Sequence, residues 1–382
     1  MTVTRKLAAI LAADVAGYSR VMGKQRSHTP RPDDPVNNRD QSQMTTPRLM
    51  RLLLPKSLAS AGWDIVKSRR DIEGILFDDD DPPESLHPAL RAVDGAALGH
   101  THFGQAEIDA APRLRVVGRI GVGYDNVDVA ALTRRGIPLM MTDTANSVSV
   151  AEHTLAFMLA LAKKIVEMDA MVHNGRWHER LMRGHIDLFG KTVLIIGFGR
   201  IGARTASRCV AMEMRVLVYD TAVSPEMIRA AGCEPIADMD DGIAQADFVC
   251  ILCPRTKATT NLLNSPRLAR MKSTACLINT ARGGMVDESA LYDVLSSGKL
   301  AGAALDVFDQ EPPPLDNPLL KLPNFLAAPH VAGLTREAAA RMAEVTVRNI
   351  LSVLDGQPNC ELMLNREVLR SAAPPAVTSN SK

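Results

Sequence analysis

Three short segments carry residue types that suit the binding of a carboxylate and the transfer of a proton. Arg282 lies in NTARGG, residues 279–284, Glu311 lies in DVFDQEP, residues 306–312, and His330 lies in PHVAG, residues 329–333. An arginine among small residues can present its fork of N–H groups to a carboxylate and a carbonyl. A histidine beside a glutamate can act as a general acid or base. A surface arginine, a helix-capping acid and a packed histidine remain alternatives for the three residues taken singly.

Each of these segments directly follows an apolar run that is typical of a buried strand. The predicted strands are residues 248–252, Cys276–Asn279, Gly302–Leu305 and residues 326–328. Helical patterns separate most of them, which indicates a doubly wound parallel sheet. In such a sheet a ligand binds beyond the carboxyl ends of the strands. The three segments are therefore expected to meet at one edge of the sheet.

A glycine motif stands at the centre of the predicted sheet. The sequence TVLIIGFGRIGARTASRCVAMEMRVLVYD, residues 192–220, reads as strand, GxGxxG, helix, second strand and a final acidic residue. Gly197 would permit a tight turn, Gly199 a close approach of a pyrophosphate, and Gly202 close packing of helix on strand. Asp220 lies about 20 residues past the motif, where a carboxylate can bind an adenosine ribose. This context favours a dinucleotide site over an ordinary glycine-rich βαβ turn.

A second glycine loop precedes this unit, after the apolar run LRVV. In RIGVGYDNVD, residues 119–128, two glycines could offer bare N–H groups to a carboxylate. A tight turn explains the same residues equally well.

Two helices are predicted further along the chain. Residues 151–172 form a mostly apolar stretch that predicts one long helix, buried in a core or against a second copy of the chain. Near the C-terminus, Thr335 is the predicted N-cap of a helix whose apolar face includes Val347, Ile350, Leu351 and Leu354.

The composition is that of a globular protein with large cores. The chain has 382 residues, of which 46% are hydrophobic and 23% charged, and its net charge of +1 gives no reason to expect a nucleic-acid partner. No apolar run approaches the length of a membrane span. The six cysteines are scattered, which indicates free thiols in a reducing compartment, and we expect a cytoplasmic protein. Cys250 and Cys253 form a CxxC, but their spacing within one strand places them on opposite faces, so we expect neither a metal site nor a redox pair.

The first 43 residues differ in character from the rest. The segment KLAAILAADVAGYSRVM, residues 6–22, resembles the opening strand of class III nucleotide cyclase domains, in which an aspartate at the position of Asp14 binds metal. The other elements of a cyclase have no counterpart downstream, and one strand cannot form a sheet alone. Residues 27–43 read as a disordered linker. We therefore expect 1–43 to be a remnant without activity and 371–382 to be a disordered tail.

From Met44 to Leu369 the chain resembles the D-2-hydroxyacid dehydrogenase family. The matching segments are VGYDNVD, ANSVSVAEHT, LFGKTVLIIGFGRIG, INTARGGMVDE, GAALDVFDQEP and APHVAG. The resemblance implies an α/β fold of two doubly wound parallel-sheet domains, with a Rossmann NAD domain at 147–328 inserted in a flavodoxin-like substrate domain at 44–146 and 329–370. It also implies an NAD-dependent oxidoreductase, dimeric through the 151–172 region, that acts on a small 2-keto or 2-hydroxy acid.

The resemblance assigns roles to individual residues. Arg282 would bind the substrate's carboxylate and keto oxygen, His330 would be the proton donor, and Glu311 would be its acidic partner. Val122 and Gly123 would contact the substrate carboxylate through their N–H groups. The cofactor would contact Gly197, Gly199, Arg200, Ile201, Gly202, Asp220, Pro254, Thr280, Ala281, Arg282, Asp306 and His330.

Two alternatives, and a departure that bears on the substrate, accompany this resemblance. The first alternative is a nicotinamide-sensing corepressor on the same fold, which would keep the three catalytic residues. The second is formate dehydrogenase, but those enzymes carry Gln where Glu311 stands here. The segment GHTH, residues 99–102, stands where phosphoglycerate dehydrogenases carry a phosphate-binding loop with arginine. The departure argues against 3-phosphoglycerate as the substrate, and we expect a small acid of the glyoxylate or hydroxypyruvate type or a similar one.

Overall fold

The computed structural model describes residues 48–181 and 184–371. The cyclase-like segment and the linker predicted within residues 1–43 lie outside the described residues. So does the predicted C-terminal tail, apart from Ser371, which ends the last helix.

A five-stranded parallel sheet forms from the first part of the chain, in the order β2-β1-β3-β4-β5. Its strands are β1 Met50–Pro55, β2 Ile72–Phe77, β3 Gly95–Leu98, β4 Val116–Arg119 and β5 Leu139–Met140. This is the flavodoxin-like order, in which the direction of winding reverses between β1 and β3.

Side chains of β1 alternate between the two faces of this sheet and define two cores. Leu53 packs in a cluster with the helices of residues 87–134, while Leu52 and Leu54 pack against the C-terminal helix. That helix, Arg336–Leu354, begins at the N-cap Thr335, whose side chain accepts a hydrogen bond from the N–H of Ala338. The four predicted apolar positions of the helix are all buried. The chain thus returns at its C-terminal end to complete the first sheet.

A seven-stranded parallel sheet forms from the second part, in the order β12-β11-β10-β9-β6-β7-β8. Its strands are β6 Thr192–Ile196, β7 Arg215–Tyr219, β8 Glu234–Pro235, β9 Phe248–Ile251, β10 Cys276–Asn279, β11 Gly302–Leu305 and β12 Phe325–Ala327. The order extends the Rossmann arrangement by one strand, and the winding reverses between β6 and β9. The predicted strands, and with them the predicted fold class, are confirmed.

Helices cover both faces of each sheet. They are α1 Ser60–Ser68, α2 His87–Leu90, α3 Gln105–Ala110, α4 Val129–Arg134, α5 Ser147–Lys163, α6 Ile165–His173, α7 Arg200–Ala211, α8 Pro225–Ala230, α9 Met239–Gln245, α10 Ser265–Leu268, α11 Glu288–Ser296, α12 Arg336–Leu354 and α13 Val368–Ser371. Single 3-10 turns occur at Pro83–Leu86, Trp177–Leu181, Pro318–Lys321 and Cys360–Leu362. Among the described residues, no helix is both long and apolar enough to cross a membrane.

The stretch 151–172 does not form one helix, so that prediction was wrong. Helix α5 ends at Lys163, and α6 starts at Ile165 after Lys164 has adopted a left-handed conformation with φ of 50°. A left-handed residue breaks the helical path, because its carbonyl and N–H no longer continue the ladder. Apolar periodicity continues across the break, which is why the sequence alone suggested a single element.

The CxxC pair is divided between two cores, as predicted. Cys250 lies within the cluster on one face of the seven-stranded sheet, and Cys253 packs against the cluster on the other face. Both are free thiols. Burial raises the pKa of Cys253 to about 11, so this thiol stays protonated near neutral pH.

Candidate active site

The three glycines of GFGRIG have three separate steric roles. Gly197 has φ of 100°, and a Cβ there would lie 2.6 Å from the backbone nitrogen of Cys253. A Cβ on Gly202 would overlap the carbonyl oxygen of Gly197, so the helix can pack against the turn only without one. A Cβ on Gly199 would meet no protein atom within 4 Å. The space beside Gly199 is therefore open to a ligand, as expected for a pyrophosphate cradle.

Helix α7 points its N-terminus at this open space. Its N-cap is Gly199, which has no side chain to satisfy the first N–H groups of the helix. Such a terminus attracts anions through its unpaired donors and its dipole. Arg200, the first residue of α7, forms an ion pair with Asp143 from the far side of the cleft between the sheets. Ile201 packs on the core below and fixes the helix to the sheet.

Asp220 ends strand β7 and is tied to the glycine loop. Its Oδ2 accepts a hydrogen bond of 2.6 Å from the N–H of Phe198, and its Oδ1 accepts from Ala222 and Val223 at 2.7 and 2.9 Å. Burial alone would raise the pKa of Asp220, but these three hydrogen bonds outweigh it and lower the pKa. A fixed negative charge therefore stands beside the predicted ribose position.

Arg282 follows strand β10 in a loop that Asn279 holds in place. The Asn279 side chain accepts a hydrogen bond from the N–H of Ala281 at 3.0 Å and donates one to the carbonyl of Arg282 at 2.8 Å. Thr280 is anchored by its hydroxyl, 2.8 Å from that of Thr154 on helix α5. The guanidinium of Arg282 reaches across to Asp125, which lies in the loop after β4 of the five-stranded sheet.

The loop after β4 meets that guanidinium. Gly121 has φ of 117°, and its N–H donates to Thr142 Oγ1 at 3.1 Å. A Cβ on Gly123 would overlap the Arg282 guanidinium, so the bare backbone of Gly123 lies against it. Val122 lines an open cavity of about 370 Å³, to which the half with the seven-stranded sheet contributes Arg200. Gly123 thus lies directly beside Arg282.

His330 and Glu311 form a direct pair. His330 Nδ1 lies 2.7 Å from Glu311 Oε2, and Glu311 Oε1 accepts from the N–H of Phe308 at 3.0 Å. Burial alone would raise the pKa of Glu311, but the hydrogen bond from His330 and the one from Phe308 lower it overall, and Arg282 adds to the lowering. The glutamate is therefore an anion at neutral pH. Because a carboxylate only accepts, Nδ1 carries the proton in this contact.

Asp306 shapes the loop that carries His330. Its carbonyl accepts from the N–H of His330 at 2.8 Å, and its two carboxylate oxygens accept from Val331 at 2.8 Å and Ala332 at 2.9 Å. His330 is held at φ of 54°, a backbone conformation that is rare for residues other than glycine. Asp306 is fully buried, and the unpartnered Nε2 of His153 lies 3.9 Å from it. The three bonds over-determine the unusual backbone of His330.

The structure thus brings most of the predicted residues to facing edges of the two sheets. Pro254 is exposed after β9, and its carbonyl accepts from the Thr259 hydroxyl at 2.8 Å.

Three residues of the site were not predicted from the sequence: Asp125, Asp143 and His153. Asp125 belongs to the VGYDNVD segment and His153 to ANSVSVAEHT, so both could have been singled out there, whereas nothing in the sequence links Asp143 to Arg200. No group of residues in the described part of the chain could hold a metal ion.

Comparison with known proteins agrees with this geometry. Residues 155–332 match the model of the D-isomer specific 2-hydroxyacid dehydrogenase, NAD binding domain. A glyoxylate reductase from Korarchaeum cryptofilum is 37% identical over 333 residues, covering 85% of this chain and 98% of that protein. A D-3-phosphoglycerate dehydrogenase from Archaeoglobus fulgidus is 44% identical over 251 residues, covering 66% of this chain. That match spans only 47% of the Archaeoglobus protein.

Two solved structures with bound cofactors are also similar. D-lactate dehydrogenase from Aquifex aeolicus, complexed with NAD and lactic acid, superposes with a TM-score of 0.72 at 26% identity, covering 82% of this chain and 99% of that one. The NADPH-dependent glyoxylate/hydroxypyruvate reductase from Sinorhizobium meliloti, in complex with NADP and malonate, gives 0.71 at 28% identity, covering 80% and 94%.

The fold and the facing loops define a nicotinamide-dependent oxidoreductase of the two-domain α/β type. The chain belongs to the D-isomer-specific 2-hydroxyacid dehydrogenase family. The predicted family, enzyme class and general oxidoreductase function are confirmed. The protein is an NAD(P)-dependent 2-hydroxyacid oxidoreductase.

Proposed function

We propose that this protein is an NADH-dependent reductase of small 2-keto acids of the glyoxylate or hydroxypyruvate type. The single observation that carries the proposal is that the Glu311–His330 pair lies close enough to Arg282 for the charge of that arginine to act on Glu311, while the bare backbone of Gly123 lies against its guanidinium. The Glu311–His330 distance of 2.7 Å supports a proton-transfer pair, and the contact between Gly123 and Arg282 supports a carboxylate site.

Substrate binding would use the facing loops. Arg282 can hold the carboxylate and the keto oxygen because its guanidinium donates several N–H groups in one plane. The N–H groups of Val122 and Gly123 would hold the carboxylate from the opposite side. This arrangement requires residues 44–146 and 329–370 to act as the substrate domain and 147–328 as the cofactor domain, with the substrate between them.

The proton would come from His330. When bound, the nicotinamide supplies or accepts the hydride. Reduction of a ketone also needs a proton on the oxygen, and a positioned acid is worth about 10²–10⁴-fold in rate. Glu311 fixes the ring through Nδ1, and the N–H groups of His330, Val331 and Ala332 donate to Asp306 and so hold the loop that carries the ring.

The cofactor preference rests on Asp220. A carboxylate with a lowered pKa beside the glycine loop would repel the 2′-phosphate of NADP. Like-charge contacts of this kind cost several kcal/mol. Thr221 and Ala222, which follow it, offer no cation. The remaining cofactor contacts would come from Gly197, Gly199, Arg200, Ile201, Gly202, Pro254, Thr280, Ala281, Arg282, Asp306 and His330.

A small substrate is favoured by the loop at residues 99–102. Thr101 is buried and donates to Asp79 at 2.8 Å, and His100 lies 3.1 Å from Asp80. Both side chains are thus engaged with carboxylates, which leaves this loop poorly suited to bind a phosphate group.

A homodimer through residues 151–172 and a cytoplasmic location complete the proposal. Ile165, Val166 and Val172 on helix α6 are large apolar side chains exposed on the single chain, and exposed apolar patches often mark protein interfaces. The net charge of +1 supports the absence of a nucleic-acid partner. Size-exclusion chromatography with light scattering would test the dimer, and a monomer at micromolar concentration would contradict it.

A substrate screen tests the proposed function. Purified protein is mixed with NADH and, separately, glyoxylate, hydroxypyruvate, pyruvate and longer 2-keto acids, and the loss of NADH absorbance is followed. We expect the fastest turnover with one of the first two acids and almost none in the His330→Ala variant. Absence of turnover with every acid, in protein that binds NADH, would refute the proposal and favour a cofactor-sensing role.

A further inference from the structure

The donors of the Arg282 guanidinium are distributed over three partners. Nε donates to Asp125 Oδ2 at 2.9 Å, and Nη1 donates to the carbonyl of Ala281 at 2.7 Å. Nη2 lies against Gly123, because a Cβ on that glycine would overlap it. The edge of the guanidinium formed by Nε is therefore occupied, and Nη2 faces the loop proposed to bind the substrate carboxylate.

The bond from Nε to Asp125 joins the two halves of the molecule. Arg282 follows strand β10 of the seven-stranded sheet, whereas Asp125 follows strand β4 of the five-stranded sheet. The side chain of Arg282 is 27% exposed and that of Asp125 is 57% exposed. The pair thus bridges the two sheets at a place where both side chains are partly open to solvent.

A second arginine makes a carboxylate at this place important. Arg119 lies at the end of β4. Its pKa is lowered to about 10, mainly by burial and secondly by the positive charge of Arg282. The charge of Asp125 acts on Arg119 in the opposite sense to that of Arg282, and the same carboxylate pairs with Arg282. Asp79, which also acts on Arg119, already accepts hydrogen bonds from Ser57 and Thr101.

We propose that Asp125 is a positioning residue for the reaction, which holds Arg282 side-on so that Nη2 is aimed at the substrate carboxylate. The inference rests on the proposed function. A guanidinium restrained by two acceptors loses little rotational freedom when the substrate binds, so its affinity for a carboxylate is higher than that of a free arginine. Because the two residues belong to different sheets, the bond also makes the orientation of Arg282 depend on the approach of the two halves.

The opposite role is a direct competitor. An aspartate that occupies Arg282 only when substrate is absent would weaken substrate binding, and its removal would strengthen it. The two roles therefore predict effects of opposite sign on the dissociation constant of a carboxylate ligand.

The test compares Asp125→Ala and Asp125→Asn with wild type in the full-length chain. Asp109→Ala serves as the control, because Asp109 is an exposed acid of the same half that pairs with Arg135 at 3.6 Å and lies outside the cleft. The readouts are the Kd of oxamate, a 2-keto acid analogue that cannot be reduced, in the NADH complex, and the Kd of NADH alone. KM and kcat for glyoxylate are measured in parallel.

We expect Asp125→Ala to raise the Kd of oxamate and the KM of glyoxylate about tenfold, the effect of losing one hydrogen bond to a charged group. Asp125→Asn should recover part of the loss, since its amide oxygen still accepts from Nε. The Kd of NADH should change less than about twofold, and Asp109→Ala should match wild type. Tighter oxamate binding in Asp125→Ala would overturn the proposal in favour of the competitor role.

A double-variant cycle shows whether Asp125 acts through Arg282. In an Arg282→Lys background, where no Nε bond of this geometry can form, Asp125→Ala should have little further effect. An equal effect in both backgrounds would overturn the proposal. If wild type binds no oxamate and reduces no keto acid, the proposed function fails and this assignment fails with it. If wild type binds oxamate and Asp125→Ala binds it equally well, only the role of Asp125 fails.

Discussion

Two glycine-to-alanine variants, three residues apart in the chain, distinguish the role of a glycine in cofactor binding from the role of a glycine in the stability of the fold. At Gly202 a methyl group would collide with the carbonyl oxygen of Gly197. Overpacking against backbone costs about 1–3 kcal/mol, and the better helix propensity of alanine returns about 1 kcal/mol. We therefore expect Gly202→Ala to lose up to about 2 kcal/mol of unfolding free energy. At about 2–4 °C per kcal/mol, Tm should fall by several degrees.

Gly199→Ala should behave in the opposite way. No protein atom lies within 4 Å of its added methyl group, and its φ of −71° suits any residue. Only the weaker capping preference of alanine opposes it, at under about 1 kcal/mol. The methyl group would, however, fill the space open to the pyrophosphate, so the Kd of NADH should rise about tenfold or more.

The assays are thermal unfolding without cofactor and fluorescence titration with NADH. Gly199→Ala should keep a near-normal Tm and bind NADH more weakly, whereas the main effect of Gly202→Ala should be a lower Tm. NADH binding by Gly199→Ala as tight as that of wild type would show that the cofactor does not approach this backbone, and the steric argument for the site would be wrong.

Four further predictions follow from the same residues. Because Asp220 is a fixed anion, kcat/KM with NADH should exceed that with NADPH, and comparable values would contradict this role. A chain that starts at Met44 should match the full chain in Tm and turnover, and should make no cyclic nucleotide from ATP and Mn²⁺; a loss of several degrees would show that 1–43 packs on the enzyme. Glu311→Gln should slow keto-acid reduction at neutral pH, because the anionic carboxylate that holds His330 Nδ1 is gone; an unchanged rate would refute the pairing. Arg282→Lys should raise KM as well as lower kcat, since an ammonium cannot reproduce the two-pronged grip, and an unchanged KM would argue against an anchor role.

The strands and the glycine turn could be predicted because their causes are local. Continuous apolar runs specify buried parallel strands, and the steric demands at Gly197 and Gly202 arise within one strand–turn–helix unit. The cap at Thr335 is also local, since its hydroxyl bonds a residue three positions on. Such features depend on neighbours in the chain and need no knowledge of the tertiary fold.

Features that depend on contacts between distant segments could not be predicted. The pairs Arg282–Asp125 and Arg200–Asp143 join residues of different sheets, and one aspartate looks like another in a loop. The break at Lys164 was missed because the apolar periodicity hides a single left-handed residue. The resemblance to a family supplied the roles of Arg282, Glu311 and His330, which spacing alone left open against ordinary structural roles.

The central claim is that hydride moves between the nicotinamide and the substrate carbon while His330 supplies the proton. It is tested most directly by reducing hydroxypyruvate with NADH deuterated at the transferable C4 position and analysing the product by NMR and chiral chromatography. We expect a single D-configured 2-hydroxy acid with deuterium on C2, formed at a rate that His330→Ala lowers about 10²-fold or more while NADH binding persists. A product without deuterium on C2, a product of the L configuration, or full activity in His330→Ala would contradict it.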